Sequence, residues 1–183
     1  LLSHLDAHVG RNMSALLSLL PSLLPAALHE EVWALMQRPC WLFGNVSTPG
    51  GSLPFWKMDL DGDAVIECAW RHAQPLCEGL VQRPLRIVRV YANGHTFGQG
   101  GQVHKDDLRA DTYTLLYYPM REWRREWEGE TVFYDGEEVL RAWLPAPNRA
   151  LLFDSRIDHA GRPPSRAFGG LRVTIAFKLE VPR

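Results

Sequence analysis

The stretch 102–107 reads Gln-Val-His-Lys-Asp-Asp and sets His104 and Asp106 two positions apart. A further histidine, His159, stands far downstream in the run Phe153–Gly161. In an extended segment, residues two apart point to the same side. His104 and Asp106 would then offer an imidazole and a carboxylate to one point, with Asp107 turned away. Two imidazoles and one carboxylate can hold one face of an Fe(II) ion and leave the other positions open for substrate and oxygen. His-x-Asp is short enough to recur by chance. The bland reading of the same residues is a loop-capping His104 and a surface His159.

The context downstream of His159 adds weight. Arg172 opens an apolar run, and Thr174 shares its face. A guanidinium fork grips a carboxylate through two parallel hydrogen bonds, and a nearby hydroxyl can add a third. Burying an arginine costs desolvation unless it meets an anion. A ligand carboxylate or an Asp or Glu of the protein itself would both serve.

These residues need a scaffold that joins distant segments. The pattern is helical first and strand-like afterwards. Ala26–Met36, after Pro25, predicts a helix with Leu28, Val32, Leu35 and Met36 as its apolar stripe. Asp61-Gly-Asp offers an N-cap to a second helix over Ala64–Leu80, striped by Val65, Ala69, His72 and Leu76, with a break at Pro75. Residues 1–13 read as loose or helical. Short strands are expected at 41–43, 55–60, 86–91, 112–118, 131–134, 138–143, 149–154 and 172–179, with a glycine-rich turn over Ala92–Gly101. Such strands point to a closed or two-sheet β architecture with helices outside.

Composition bounds the rest. The 183 residues fit one domain, 46% hydrophobic and 22% charged, with a net charge of −1 that gives no sign of nucleic acid or an anionic membrane. Three cysteines, Cys40, Cys68 and Cys77, without a CxxC, suit reduced thiols and a cytoplasmic location. The apolar run 16–28 is broken by Pro21 and Pro25, is too short to span a bilayer, and lacks a basic segment before it that would mark a signal peptide. The first residue is Leu, which suggests a trimmed N-terminus.

His95, in Asn93-Gly-His-Thr, reads as a solvated loop histidine beside the site, and His72 as packed or exposed. Arg156 has the reach for a substrate carboxylate, and Asp158 reads as a turn cap. Trp123, Arg124, Arg125 and Trp127 form a charged aromatic segment that suits either a lid over the site or a solvated loop. Arg162-Pro-Pro-Ser-Arg166 reads as a rigid connector.

From Arg86 onward the chain resembles the Fe(II)/2-oxoglutarate-dependent dioxygenases, in their prolyl 4-hydroxylase-like branch. The pieces are Tyr91-Ala-Asn-Gly94, His104-Lys-Asp106, Thr114-Leu-Leu-Tyr-Tyr118, Trp127-Glu-Gly-Glu-Thr131-Val-Phe, Phe153–His159-Ala-Gly and Arg172-Val-Thr174, in the family's order. The resemblance implies a mainly β fold with flanking helices: a double-stranded β-helix (jelly roll, cupin-like) preceded by N-terminal helices. Residues 1–183 would form one oxygenase domain, with 1–84 a mostly helical support and 85–183 the catalytic core. His104, Asp106 and His159 would be the iron ligands. Arg172 would hold the distal carboxylate of 2-oxoglutarate, supported by Thr174 and Tyr118, and Tyr91 would line the pocket. Ascorbate would support the iron as reductant. O2 and an organic substrate, a small molecule or a peptide, would be the partners, without nucleic acid or membrane. The reaction implied is hydroxylation of a C–H bond coupled to decarboxylation of 2-oxoglutarate to succinate and CO2. Asp106 stands where halogenating relatives carry a small residue, so hydroxylation is favoured. The family's Gly-Gly-Glu-Thr is Glu128-Gly129-Glu130-Thr131 here, and Pro119-Met120 also departs from the usual pattern. Two other readings stay open: a cupin-type metal enzyme without 2-oxoglutarate, which leaves Arg172 unexplained, and a non-catalytic interaction module on the same fold.

Overall fold

The structure, a computed structural model, describes residues 16–183. The expectation for residues 1–13 lies outside the described residues. Ten strands run in chain order: β1 Leu17–Leu20, β2 Leu42–Asn45, β3 Phe55–Asp59, β4 Arg86–His95, β5 Thr112–Tyr117, β6 Thr131–Asp135, β7 Glu138–Trp143, β8 Ala150–Asp154, β9 Asp158–Gly161 and β10 Arg172–Glu180. Two helices, α1 Ala26–Met36 and α2 Ala64–Val81, interrupt the first strands. A seven-stranded sheet has the order β1-β8-β5-β10-β4-β3-β2, and a three-stranded sheet has the order β7-β6-β9. All pairings are antiparallel. Mainly antiparallel β-structure with two helices is consistent with a jelly roll.

β10 explains why one sheet can hold both a core and a site. Val173, Ile175, Phe177 and Leu179 are buried on one face, where Trp70 of α2 stacks on Phe177 with centroids 6.2 Å apart. Arg172, Thr174, Ala176 and Lys178 alternate onto the other face and line a cavity between the sheets. The helices pack on the core face: Val32, Leu35 and Met36 of α1 are buried, as are Ile66, Ala69, Trp70, Ala73 and Cys77 of α2. Asp63 caps α2 by accepting from the Val65 N–H at 2.9 Å.

Several expectations need correction. The mostly helical support expected over 1–84 carries, in its described part, three strands beside α1 and α2: β2 and β3 fall where strands were expected, and β1 was not expected. β1 pairs with β8, while β2 and β3 extend the larger sheet beyond β4. Of the stripe expected for α2, Ala69 is buried and Val65 packs against the core, but His72 and Leu76 face solvent. α2 also runs through Pro75 without ending. Pro75 and Arg71 both lie on the exposed side, where water can meet the carbonyl that loses its helical partner. The glycine-rich segment after Tyr91 is strand as far as His95. β3 and β10 pair with it on either side, and tertiary pairing overrides its turn-like composition. Gly94 suits that strand because a Cβ there would meet the Leu171 side chain at 2.7 Å.

Candidate active site

His104 and Asp106 lie in the connection between β4 and β5, and His159 lies on β9 of the smaller sheet. A two-way backbone bridge joins them: the N–H of each histidine donates to the carbonyl of the other at 3.0 Å. Asp106 is fixed by its N–H donating to the Ser155 carbonyl at 2.9 Å. One side-chain donor atom from each of His104, Asp106 and His159 falls within 4.8 Å of the other two. Asp107 turns away and binds Arg109 instead.

The imidazoles are presented for ligation. His104 Nδ1 lies 2.9 Å from the Gln102 carbonyl and His159 Nδ1 lies 3.0 Å from the Ile157 carbonyl, so each Nδ1 carries the proton and each Nε2 offers its lone pair. Both Nε2 atoms face Asp106, at 3.3 Å and 3.6 Å from its oxygens. Burial pushes the His159 imidazole down to about 4, so it stays neutral at ordinary pH. Burial alone would raise the Asp106 carboxyl, but the Lys178 ammonium beside it holds it well below the usual carboxylate range. A neutral His159 imidazole and an ionised Asp106 carboxylate are the states a metal needs. Phe133 and Phe153 pack against the His159 ring. Thr114 Oγ1 donates to Asp106 Oδ2 at 2.6 Å, and Lys178 Nζ reaches the same oxygen.

The same cavity, about 380 Å³, continues to Arg172 and is lined by Tyr91, Asn93, His95, Thr131 and Thr174 among others. Arg172 is 1% exposed. Its Nε donates to the Gly129 carbonyl at 2.6 Å and an Nη to Thr131 Oγ1 at 3.0 Å. Among the described residues no carboxylate hydrogen-bonds to it, so the Asp or Glu partner considered from sequence is not there. Burial lowers its guanidinium from the ordinary value, with Tyr118 and Glu130 opposing, yet an arginine remains charged. Nearby, both ring nitrogens of His95 and the Oδ1 of Asn93 are buried without hydrogen-bond partners. A charged fork and orphaned polar atoms at the closed end of a cavity suit a small dicarboxylate.

Residues 88–177 match the family model described as the 2OG-Fe(II) oxygenase superfamily. The matched segment, about half of the chain, is that of this superfamily. Its cofactors are Fe(II) and 2-oxoglutarate, and the donor set around Asp106 and the buried Arg172, which has no carboxylate partner among the described residues, fit them. The fold is that of a Trichoplax adhaerens prolyl hydroxylase in complex with a hypoxia inducible factor oxygen degradation domain peptide (18% identity, TM-score 0.69, covering 90% of this chain and 83% of that one). A Pseudomonas putida prolyl-4-hydroxylase is similar at 14% identity and TM-score 0.69, with 93% and 94% covered. The epimerase SnoN, in complex with Fe3+, alpha ketoglutarate and nogalamycin RO, is similar at 13% identity and TM-score 0.69, with 90% and 78% covered. No curated protein matches the sequence. These likenesses show the shared fold.

Within this 2OG-Fe(II) oxygenase, Tyr91 and Thr174 line the cavity as expected. Tyr118 does not line it. Its hydroxyl donates to Thr131 at 2.6 Å and so braces the residue that receives Arg172. His95 is buried rather than solvated, because the strand carries it inward beside Arg172. Arg156 is held by Asp154 in a two-point pair, and Asp158 binds Lys105, so neither is free for substrate. Trp123 and Trp127 pack with Phe168 outside the cavity lining, with the Trp123 indole donating to the Glu128 carbonyl. Sequence reasoning gave no role to Thr114 or Lys178. The signal was available in the period of two: Lys178 shares the parity of Arg172 and Thr174, and His95 that of Tyr91 and Asn93.

Proposed function

We propose that the chain is an Fe(II)- and 2-oxoglutarate-dependent hydroxylase that inserts oxygen into an unactivated C–H bond of a small molecule or a peptide residue. His104, Asp106 and His159 would hold the iron. Arg172, aided by Thr174 and His95, would hold the distal carboxylate of 2-oxoglutarate, with Thr131 and Tyr118 steadying the arginine. The described residues would work as one jelly-roll domain, 85–183 carrying the site and 16–84 completing the larger sheet.

The bound iron and cosubstrate supply the oxidising chemistry, in which 2-oxoglutarate, O2 and R–H give succinate, CO2 and R–OH. The chain's own share is placement. The backbone bridge between the histidines fixes two ligands before any metal arrives, and the Nδ1 contacts fix their tautomers. Thr114 and Lys178 keep the third ligand ionised and oriented. Phe133 and Phe153 keep water from the back of His159. No side chain is required to act as general acid or base.

The observation that supports this reading is the shared cavity: three donor atoms within 4.8 Å of one another lie in the pocket that ends at a buried guanidinium without a carboxylate partner. The test is succinate formation from 2-oxoglutarate with Fe(II), ascorbate and O2, with and without prolyl peptides, free amino acids and other organic substrates. Arg172→Ala should abolish 2-oxoglutarate-dependent turnover while iron still binds. Absence of both iron uptake and succinate formation in the wild-type chain would overturn the reading.

A further inference from the structure

The wall formed by β4 and β10 is a ladder whose cavity-facing rungs differ sharply in charge. Register pairs Arg172 with His95, Thr174 with Asn93, Ala176 with Tyr91 and Lys178 with Arg89. The inner rung carries the guanidinium assigned above to 2-oxoglutarate. The outer rung carries two more cations, and β3 adds a third. Lys57 Nζ, Arg89 Cζ and Lys178 Nζ lie 5.4, 5.0 and 5.7 Å from the centroid of the Tyr91 ring. One aromatic face attracts a cation. Three cations around one ring repel each other unless an anion joins them.

The anions already present do not meet this demand. Lys57 pairs with Asp59, which is largely exposed. Lys178 pairs with Asp106, the carboxylate offered to the metal. The Arg89 side chain makes no hydrogen bond or ion pair among the described residues. A divalent ion at Asp106 would draw on that carboxylate and leave Lys178 facing a second positive charge. With 2-oxoglutarate held at the inner rung, the outer rung of the loaded site is left cationic.

We propose that the organic substrate is a small carboxylic acid whose carboxylate is held by Arg89 and Lys178 beside Tyr91. The inference rests on the oxygenase reading and narrows it. An arginine fork beside a lysine suits a carboxylate, and a cavity of about 380 Å³ that also takes 2-oxoglutarate leaves room for a compact molecule. Because Lys178 touches Asp106, the carboxylate sits next to the metal position, so the oxidised carbon lies only a few bonds from it. A mid-chain prolyl residue has no such anion to offer.

The test uses the whole chain loaded with redox-inert Zn(II). Binding of 2-oxoglutarate is titrated first by calorimetry. Acids from propionate to suberate and the common free amino acids are then titrated, each beside its primary amide, with glycerol 3-phosphate as a second oxyanion. The expected result is an acid that binds at least tenfold tighter than its amide, with an affinity that falls as salt is raised. Arg89→Gln should weaken that acid about tenfold and leave the amide unchanged. Arg89 is exposed on its strand, so a melting curve will confirm that the variant is folded. No acid binding, equal binding of acid and amide, binding of the phosphate ester in place of every acid, or an acid indifferent to Arg89→Gln would each overturn the proposal. Absence of 2-oxoglutarate binding in the first titration would instead count against the oxygenase reading, and the acid series on the zinc-loaded chain would still judge the carboxylate pocket.

Discussion

His104 and His159 are backbone partners: each N–H donates to the other's carbonyl at 3.0 Å, across the gap between the connection after β4 and the smaller sheet. Two candidate ligands from distant parts of the chain are therefore held by main-chain bonds, independent of any ion. The third needs side-chain support, and Thr114 gives it through a 2.6 Å bond to Asp106 Oδ2. Thr114→Val keeps the shape and removes the donor. Metal affinity should fall about 10–100-fold, the usual cost of losing a partner of a metal ligand. Titration of Fe(II), or of Zn(II) as a surrogate, will measure it. Unchanged affinity would mean that Lys178 alone orients the carboxylate.

Arg172 separates cosubstrate binding from metal binding. Its Nε bond to Gly129 and Nη bond to Thr131 aim the remaining N–H groups down the cavity. Arg172→Lys keeps the charge and loses the fork, so 2-oxoglutarate should bind more weakly, with metal uptake intact. Arg172→Ala should cost about 2–5 kcal/mol of 2-oxoglutarate affinity, the range for truncating one partner of a buried charge pair. Calorimetry on metal-loaded protein reads both. Equal loss of metal and 2-oxoglutarate binding would indicate collapse of the site rather than loss of a contact.

Part of the candidate site was legible in the sequence, for a physical reason. Arg172 and Thr174 sit on a strand, where period two is visible in the sequence itself, whereas His104 and Asp106 lie in a connection and are set by backbone bonds to His159 and Ser155. What escaped were effects of distant pairing. His95 looks like a loop residue until β3 and β10 flank it. β1 and β9 are four residues each and depend on β8 and β6 for their definition. Tyr118 matched a cosubstrate residue by motif, yet the chain turns it toward Thr131. Lys178 sits in a run whose neighbours are all core-like, and only the fold brings Asp106 to it.

His95 gives the structure a pH signature. Burial, then Arg172, pushes its imidazole down from 6.5 to about 3. The unfolded chain takes up that proton near pH 6.5 and the folded chain resists it. Unfolding therefore binds a proton between those limits, and stability falls as pH drops below about 6.5. Above that pH the group contributes no dependence. The slope is at most about 1.4 kcal/mol per pH unit. His159, pushed down to about 4, adds to the same trend and remains in a His95→Gln variant. Urea melts of metal-free protein between pH 7 and 5 should show a shallower loss in His95→Gln than in wild type. Parallel slopes would mean that His95 is solvated in solution.

Glu128 stands where the resemblance leads one to expect glycine, and the backbone shows the cost of the departure. It takes φ 54° and ψ −140°, a conformation that L side chains rarely adopt, directly before Gly129, whose carbonyl receives Arg172. Its side chain is exposed and makes no ion pair or hydrogen bond among the described residues. Glu128→Gly removes strain of about 1–3 kcal/mol and adds roughly 0.5–1 kcal/mol of unfolded-state freedom. The balance favours the folded state, so Glu128→Gly should raise stability by about 1 kcal/mol. Its main-chain bonds to Arg125 and Trp123 do not need the side chain, so the support behind Arg172 should survive and 2-oxoglutarate affinity should not fall. Chemical denaturation and a cosubstrate titration of the same variant decide it. A destabilised Glu128→Gly would mean that the carboxylate has a partner in solution that offsets the strain.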